Sequence, residues 1–125
     1  MADQGDRAAA LVHVTGDGVR LVTTNSIGMD LVQEVARLLG SEHIRSTRLG
    51  GDLTLWHAED GPGRARAGYP NPVASGLAAE HGSPPVTGPA VVSGPIEYNS
   101  VFPLKAVDAE QLVSRLRGGG APRQA

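Results

Sequence analysis

The chain has 125 residues, a formal net charge of −2 and no cysteine. A domain of this length buries roughly two-thirds of the surface of its unfolded chain, so it can form a core without disulfides. The lack of cysteine excludes zinc-thiolate sites and cysteine nucleophiles, and the charge lacks the basic excess typical of a nucleic-acid binder.

Two β-hairpins are predicted in the first half of the chain. Each consists of two runs rich in β-branched or apolar residues that flank a glycine-rich turn. The turns are Gly16-Asp17-Gly18 and Gly50-Gly51-Asp52. The first hairpin joins Ala8 to Thr15 with Val19 to Thr24, and the second joins His43 to Leu49 with Leu53 to Ala58.

An amphipathic helix is predicted between the hairpins, from Met29 to Leu39. Its apolar residues recur at i, i+1, i+4, i+7 and i+8, which places them on one face. Asn25-Ser26 is a suitable N-cap, and Gly40 is a suitable left-handed stop.

A second helix is predicted to begin at Asn71-Pro72 and to end before Gly82. Proline fits the first helical position because its missing N–H would be unpaired there. Asn71 is expected to cap the helix by accepting the backbone N–H of Val73 or Ala74, a role that Asp could also fill.

The remaining elements are a buried strand at Pro89 to Ser93, an extended irregular segment at Ile96 to Leu104, and a third helix. That helix is predicted to start at a capping-box-like Asp108 and to stop at Gly118. The predicted order is ββαββ-loop-αβα. Because two hairpins cannot form a purely parallel sheet, we predict a single α+β domain with a mixed or antiparallel sheet. The domain spans 8–117, with disordered ends at 1–7 and 118–125.

The ordered pattern resembles the domain-of-unknown-function family DUF 3846, small proteins of actinobacteria, their phages and their plasmids. The resemblance covers roughly residues 9 to 95. It implies a mobile-element or accessory context and no catalytic activity. It is carried by the segments Leu38-Leu39-Gly40, Leu53-Thr-Leu-Trp56, Glu59-Asp60-Gly61, Gly68-Tyr-Pro-Asn71-Pro-Val-Ala74 and Thr87-Gly-Pro-Ala-Val-Val-Ser-Gly94.

The sequence contains no recognisable catalytic motif, so we assign no catalytic residues and expect no cofactor. A metal site could combine His57, Asp60 and His43, since the second hairpin brings its strands together. The simpler interpretation is that His57 is a half-buried strand residue beside a solvated acidic turn. We therefore predict no metal site.

The segment from His57 to Asn71, with the residues beside it, is the best binding candidate. Trp, Tyr and Arg are enriched at binding hot spots, and arginines can hold carboxylates or phosphates bidentately. The simpler interpretation is a mobile loop at Glu59 to Gly68 with Trp56 packed under a helix. The candidate binding residues are Trp56, Arg64, Arg66, Tyr69 and Asn71.

Three functions stay open. The first is a small non-enzymatic accessory protein that binds a protein partner. The second is a small ligand-binding domain or enzyme that uses the His57 to Asn71 region. The third is a nucleic-acid-associated protein that uses Arg45, Arg48, Arg64 and Arg66. No membrane span or secretory signal is evident in the sequence, so a cytoplasmic location is expected.

Overall fold

The computed structural model describes residues 9–50, 52–58 and 70–119, and in these ranges the chain folds into a small single-domain α+β structure. The predicted fold class is confirmed. The ends at 1–7 and 120–125 lie outside the described residues. The elements in chain order are β1 (Ala9–Thr15), β2 (Gly18–Thr24), α1 (Gly28–Leu39), β3 (Ile44–Gly50), β4 (Leu53–Ala58), α2 (Pro72–Ala79), β5 (Ala90–Ser93), β6 (Ile96–Glu97), β7 (Ser100–Val101), β8 (Leu104–Lys105) and α3 (Ala106–Gly119).

The strands of the main sheet follow the order β2-β1-β5-β4-β3, and β8 also pairs with β1. All of these pairs are antiparallel. The two predicted hairpins thus form the two halves of the sheet, and β5 joins them at the centre. All four residues of β5 are buried because both of its faces are covered, which explains the uninterrupted apolar run that precedes Ser93.

Helices cover both faces of the sheet. Along β1, Val12 and Val14 face the cluster that contains Leu77 of α2 and Leu112 of α3. Leu11 faces the opposite way, into the cluster formed with Leu31 and Val35 of α1. This alternation follows from the two-residue period of a strand, and it produces three layers with the sheet in the middle. No helix within the described ranges is long and apolar enough to cross a membrane.

The predicted N-cap of α1 is wrong. The helix begins after Ile27, which provides no side-chain cap. Ser26 lies one residue too early, and its hydroxyl instead donates a 2.7 Å hydrogen bond to the Glu34 carboxylate. The predicted stop is confirmed, because Gly40 has a φ of 68°.

Helix α2 agrees with the prediction at both ends, whereas α3 extends past its predicted boundary at each end. Asn71 caps α2 as expected, and α2 is followed by a left-handed Gly82 with a φ of 74°. Helix α3 starts at Ala106, directly after β8, so Asp108 lies in its first turn and favours the helix dipole there. The helix continues through Gly118 to Gly119.

The segment predicted to be irregular contains three short strands. β6 and β7 pair across Tyr98 and Asn99, whose φ angles are 54° and 62°. These angles are typical of a type I′ hairpin turn, which glycine usually marks in a sequence. Because these positions lack glycine, the hairpin could not be predicted from the sequence.

Candidate functional site

Trp56, a candidate binding residue, lies in the core of the α1 face and is only 6% exposed. Its indole Nε1 donates a hydrogen bond of 2.8 Å to the Ser93 hydroxyl, which donates in turn to the Gly94 carbonyl. The ring therefore has almost no surface for a partner. The interpretation that packs Trp56 under a helix agrees with this position.

Asn71 is also buried, with 2% of its surface exposed. Its Oδ1 accepts the backbone N–H of Ala74 at 3.1 Å. Its Nδ2 donates to the carbonyl oxygens of Val14, at 3.1 Å, and Gly88, at 2.8 Å. All of the side-chain atoms that could bind a ligand are thus engaged in holding α2 against β1 and the loop before β5.

The other three candidates, Arg64, Arg66 and Tyr69, lie outside the described residues, as does Asp60 of the hypothetical metal site. His57 Nδ1 lies 3.0 Å from the Ala58 carbonyl. Among the residues that the structure describes, no group of three His, Asp or Glu side chains converges on a possible metal position.

Arg45 and Arg48 lie on β3, the outermost strand on one side of the sheet. Arg45 is opposite His57 of β4, and Arg48 is opposite Thr54. Because the two arginines are three residues apart on a strand, they project from opposite faces of the sheet. Both are exposed, and neither forms a hydrogen bond or ion pair with any described residue.

The outer side of β3 is free of pairing among the described residues. Its register with β4 shifts between Arg48 and Gly50, a bulge that interrupts the regular ladder at the end of the strand. The regular edge therefore runs from Ile44 to Arg48.

The opposite edge strand of the sheet, β2, contacts α3 at Val19. Arg117 donates from Nε to the backbone carbonyl of Val19 over 2.8 Å. An unpaired strand edge can accept another strand, and proteins usually cover such edges or place charges on them. The two edges of this sheet thus differ, since Arg117 of α3 engages one carbonyl of β2, whereas β3 carries two free arginines.

A small cavity of about 170 Å³ lies beside Arg48, lined also by Asp52, Thr54 and Glu97. Neither carboxylate comes within ion-pair distance of the Arg48 guanidinium. The arginine is therefore available to an external carboxylate or phosphate.

A second groove, of about 400 Å³, lies at the turn of the first hairpin and is lined by His13, Asp17 and Arg20, among others. His13 Nδ1 lies 3.4 Å from both Nε and Nη2 of Arg20, and His13 Nε2 has no hydrogen-bond partner in the described part of the chain. Burial, and then the Arg20 charge, lower the pKa of His13. His13 is thus held neutral near pH 7, with Nδ1 facing the guanidinium as an acceptor.

Both arginines of β3 were candidate binding residues from the sequence, but the sequence did not show that β3 lies at an unpaired edge of the sheet. Their opposite orientation follows from the strand period alone, whereas the position of β3 at the end of the sheet depends on the long-range pairing of β4 with β5. The buried His13 carried no sequence signal, because one histidine in an apolar strand is not distinctive.

No family model matches the chain, and neither a curated protein nor a solved structure matches it closely enough to support an argument.

Proposed function

We propose that this chain is a small accessory protein without catalytic activity, which acts by binding a protein partner along β3. The observation that carries the proposal is the free edge of this strand, with Arg45 and Arg48 exposed and unpaired. An edge strand offers main-chain donors and acceptors to a partner, and unpaired arginines add charge-assisted hydrogen bonds.

The distribution of buried groups supports binding over catalysis. Trp56 and Asn71, the described members of the sequence-based candidate set, have their polar atoms engaged within the fold. Among the described residues, the exposed arginines of β3 have no such partners, so they stay available to a binding partner.

A nucleic-acid partner is less well supported by the same arginines. Arg45 and Arg48 project from opposite faces of the sheet, whereas contacts along a phosphate backbone require a continuous basic surface. Nucleic-acid binding at β3 is therefore the alternative that the affinity capture also tests.

The test is affinity capture from an extract of the cells that make the protein naturally, with wild type and the double variant Arg45→Glu/Arg48→Glu as baits. The matched control is Arg37→Glu/Lys105→Glu, which makes the same change in net charge at two exposed positions away from β3. We expect a protein that wild type and the control retain and the β3 variant loses. All three baits must have the same melting temperature.

Equal recovery of every protein by all three baits would show that β3 is not the binding surface. A β3-dependent recovery that disappears after nuclease treatment would instead support the nucleic-acid function.

The biological setting is also a proposal. A mobile-element or phage context is supported only by the resemblance to DUF 3846, and a cytoplasmic location only by the sequence.

A further inference from the structure

We propose that the partner of β3 is an extended acidic segment that adds to the sheet as a new strand, with two carboxylates three residues apart. This inference depends on the proposed function, and it specifies the chemistry of the partner at the same site. Its basis is the register of Arg45 and Arg48 along the free edge.

The backbone of β3 is suited to accept a strand. In an antiparallel ladder, alternate residues direct both N–H and C=O toward the same neighbour. The residues of β3 that do not bond to β4 therefore direct these groups outward. No described element pairs with them, so an extended segment can form main-chain hydrogen bonds there, from Ile44 to the bulge after Arg48.

The spacing of the arginines sets the spacing of the acids. Arg45 and Arg48 lie on opposite faces of the sheet, roughly 10 Å apart along the strand. An added strand has the same two-residue period, so carboxylates three residues apart also lie on opposite faces and reach both arginines. Carboxylates two or four residues apart share one face and reach only one. This relation holds for a parallel or an antiparallel partner strand.

A second copy of this chain is a poor partner in the register that pairs the two arginine positions with each other. When two β3 strands pair antiparallel about a point between Ser46 and Thr47, Arg45 of each copy lies opposite Arg48 of the other. Like charges directly opposite one another destabilise a strand pair. The charge pattern therefore disfavours this self-pairing and favours an acidic partner strand.

The experiment uses the full chain and three blocked synthetic peptides, observed through the backbone amide signals in NMR spectra. The test peptide is Thr-Val-Glu-Val-Thr-Glu-Val-Thr, with acids three residues apart. The first control, Thr-Val-Glu-Val-Thr-Val-Glu-Thr, has the same composition with acids four apart. The second control replaces both acids of the test peptide with Gln.

We expect the test peptide to shift the β3 amides and to slow hydrogen exchange at alternate residues of that strand. The four-spaced peptide should bind roughly threefold more weakly or worse, the size of effect typical of losing one exposed ion pair. The Gln peptide should be weaker still. N-methylation of the test peptide at one set of alternate residues should abolish binding, because it removes the donors that face β3, and methylation of the other set should not.

Equal affinities for the three- and four-spaced peptides would overturn the inference, and so would shifts that map elsewhere. It would also fail if Arg45→Glu/Arg48→Glu, shown to fold by its unchanged amide signals outside β3, bound the test peptide as wild type does. Salt-sensitive binding of a DNA duplex at β3 with no peptide binding would assign the edge to nucleic acid. If the peptides fail while capture still depends on β3, the proposed function stands and only the partner chemistry is wrong.

Discussion

The side chain of Asn71 donates a hydrogen bond of 3.1 Å to the backbone carbonyl of Val14, 57 residues earlier in the chain. The same Nδ2 donates to Gly88, and Oδ1 caps α2. One buried amide therefore joins the first hairpin, the loop before β5 and the second helix.

We expect Asn71→Ala to lower the free energy of unfolding by about 2–4 kcal/mol. The loss of the cap contributes about 0.5–2 kcal/mol, and each buried carbonyl left without its donor costs about 1–3 kcal/mol unless other bonds satisfy it. Urea denaturation of both proteins measures this difference. An unchanged midpoint would contradict the role of the amide.

Asn71→Asp separates the cap from the two donated bonds. Aspartate can accept the Ala74 N–H, but its ionised form donates nothing and places negative charge against two carbonyl oxygens. We expect destabilisation at neutral pH of about 3 kcal/mol or more. Relative to wild type, the defect should shrink as the pH falls, because the protonated carboxyl can donate one bond. Denaturation of both proteins across a pH series checks this, and equal stability at neutral pH would show that the cap alone matters.

Asn71 also shows how far the sequence could predict the site. The Asn-Pro pair marked the cap because capping involves neighbours in the chain. The bonds to Val14 and Gly88 depend on how α2 packs against the sheet, which no local pattern records. The sequence therefore favoured Asp as an equivalent residue, whereas the two donated bonds lead to the opposite expectation.

The same contrast between local and long-range features applies to the fold as a whole. The hairpins with glycine turns, and the helices with apolar residues at helical spacing, could be predicted because those signals are local. The β6–β7 hairpin was missed because its turn lacks glycine, and the N-cap of α1 was misplaced because Ser26 bonds to Glu34 eight residues away. The strand order, which leaves β3 at the edge, depends on contacts distant in sequence.

Trp56 and Ser93 form a buried donor–acceptor pair that single changes should disrupt. We expect Ser93→Ala to cost about 1–3 kcal/mol, since the indole N–H would remain buried without its acceptor. Trp56→Phe removes the donor, so adding Ser93→Ala to it should cost less than Ser93→Ala costs alone. Chemical denaturation of the four proteins in this double-mutant cycle measures the coupling, and strict additivity would show that the bond contributes nothing.

His13 should make the protein less stable in mild acid. Burial, and then the Arg20 charge, lower the pKa of His13 in the folded state. Below the ordinary histidine value of about 6.5, the unfolded chain takes up a proton that the folded chain resists. Stability is therefore highest above this pH, falls as the pH decreases toward the folded pKa, and loses no more from this group below it.

Two measurements check the role of His13. NMR titration of its ring should give a pKa below about 6.5, and His13→Gln should flatten the decline in stability through the same pH window. A ring that titrates at or above the ordinary value would rule out this source of acid sensitivity.

Two glycines should respond to alanine in opposite directions. A Cβ at Gly94 would lie 2.6 Å from the Pro103 carbonyl oxygen and 2.9 Å from that of Phe102. These are backbone atoms, so the segment between β7 and β8 would have to move, and we expect Gly94→Ala to cost about 2 kcal/mol or more.

Gly76 lies inside α2, and a Cβ there would meet nothing within 4 Å. Gly76→Ala should therefore stabilise the protein by about 0.5–1 kcal/mol, because alanine favours the helix and restricts the unfolded chain. Thermal unfolding of the two variants and of wild type measures both effects. A Gly94→Ala protein as stable as wild type would show that the close approach of Gly94 to the Phe102 and Pro103 carbonyls is not needed. A destabilised Gly76→Ala protein would show that the exposed side of α2 is packed.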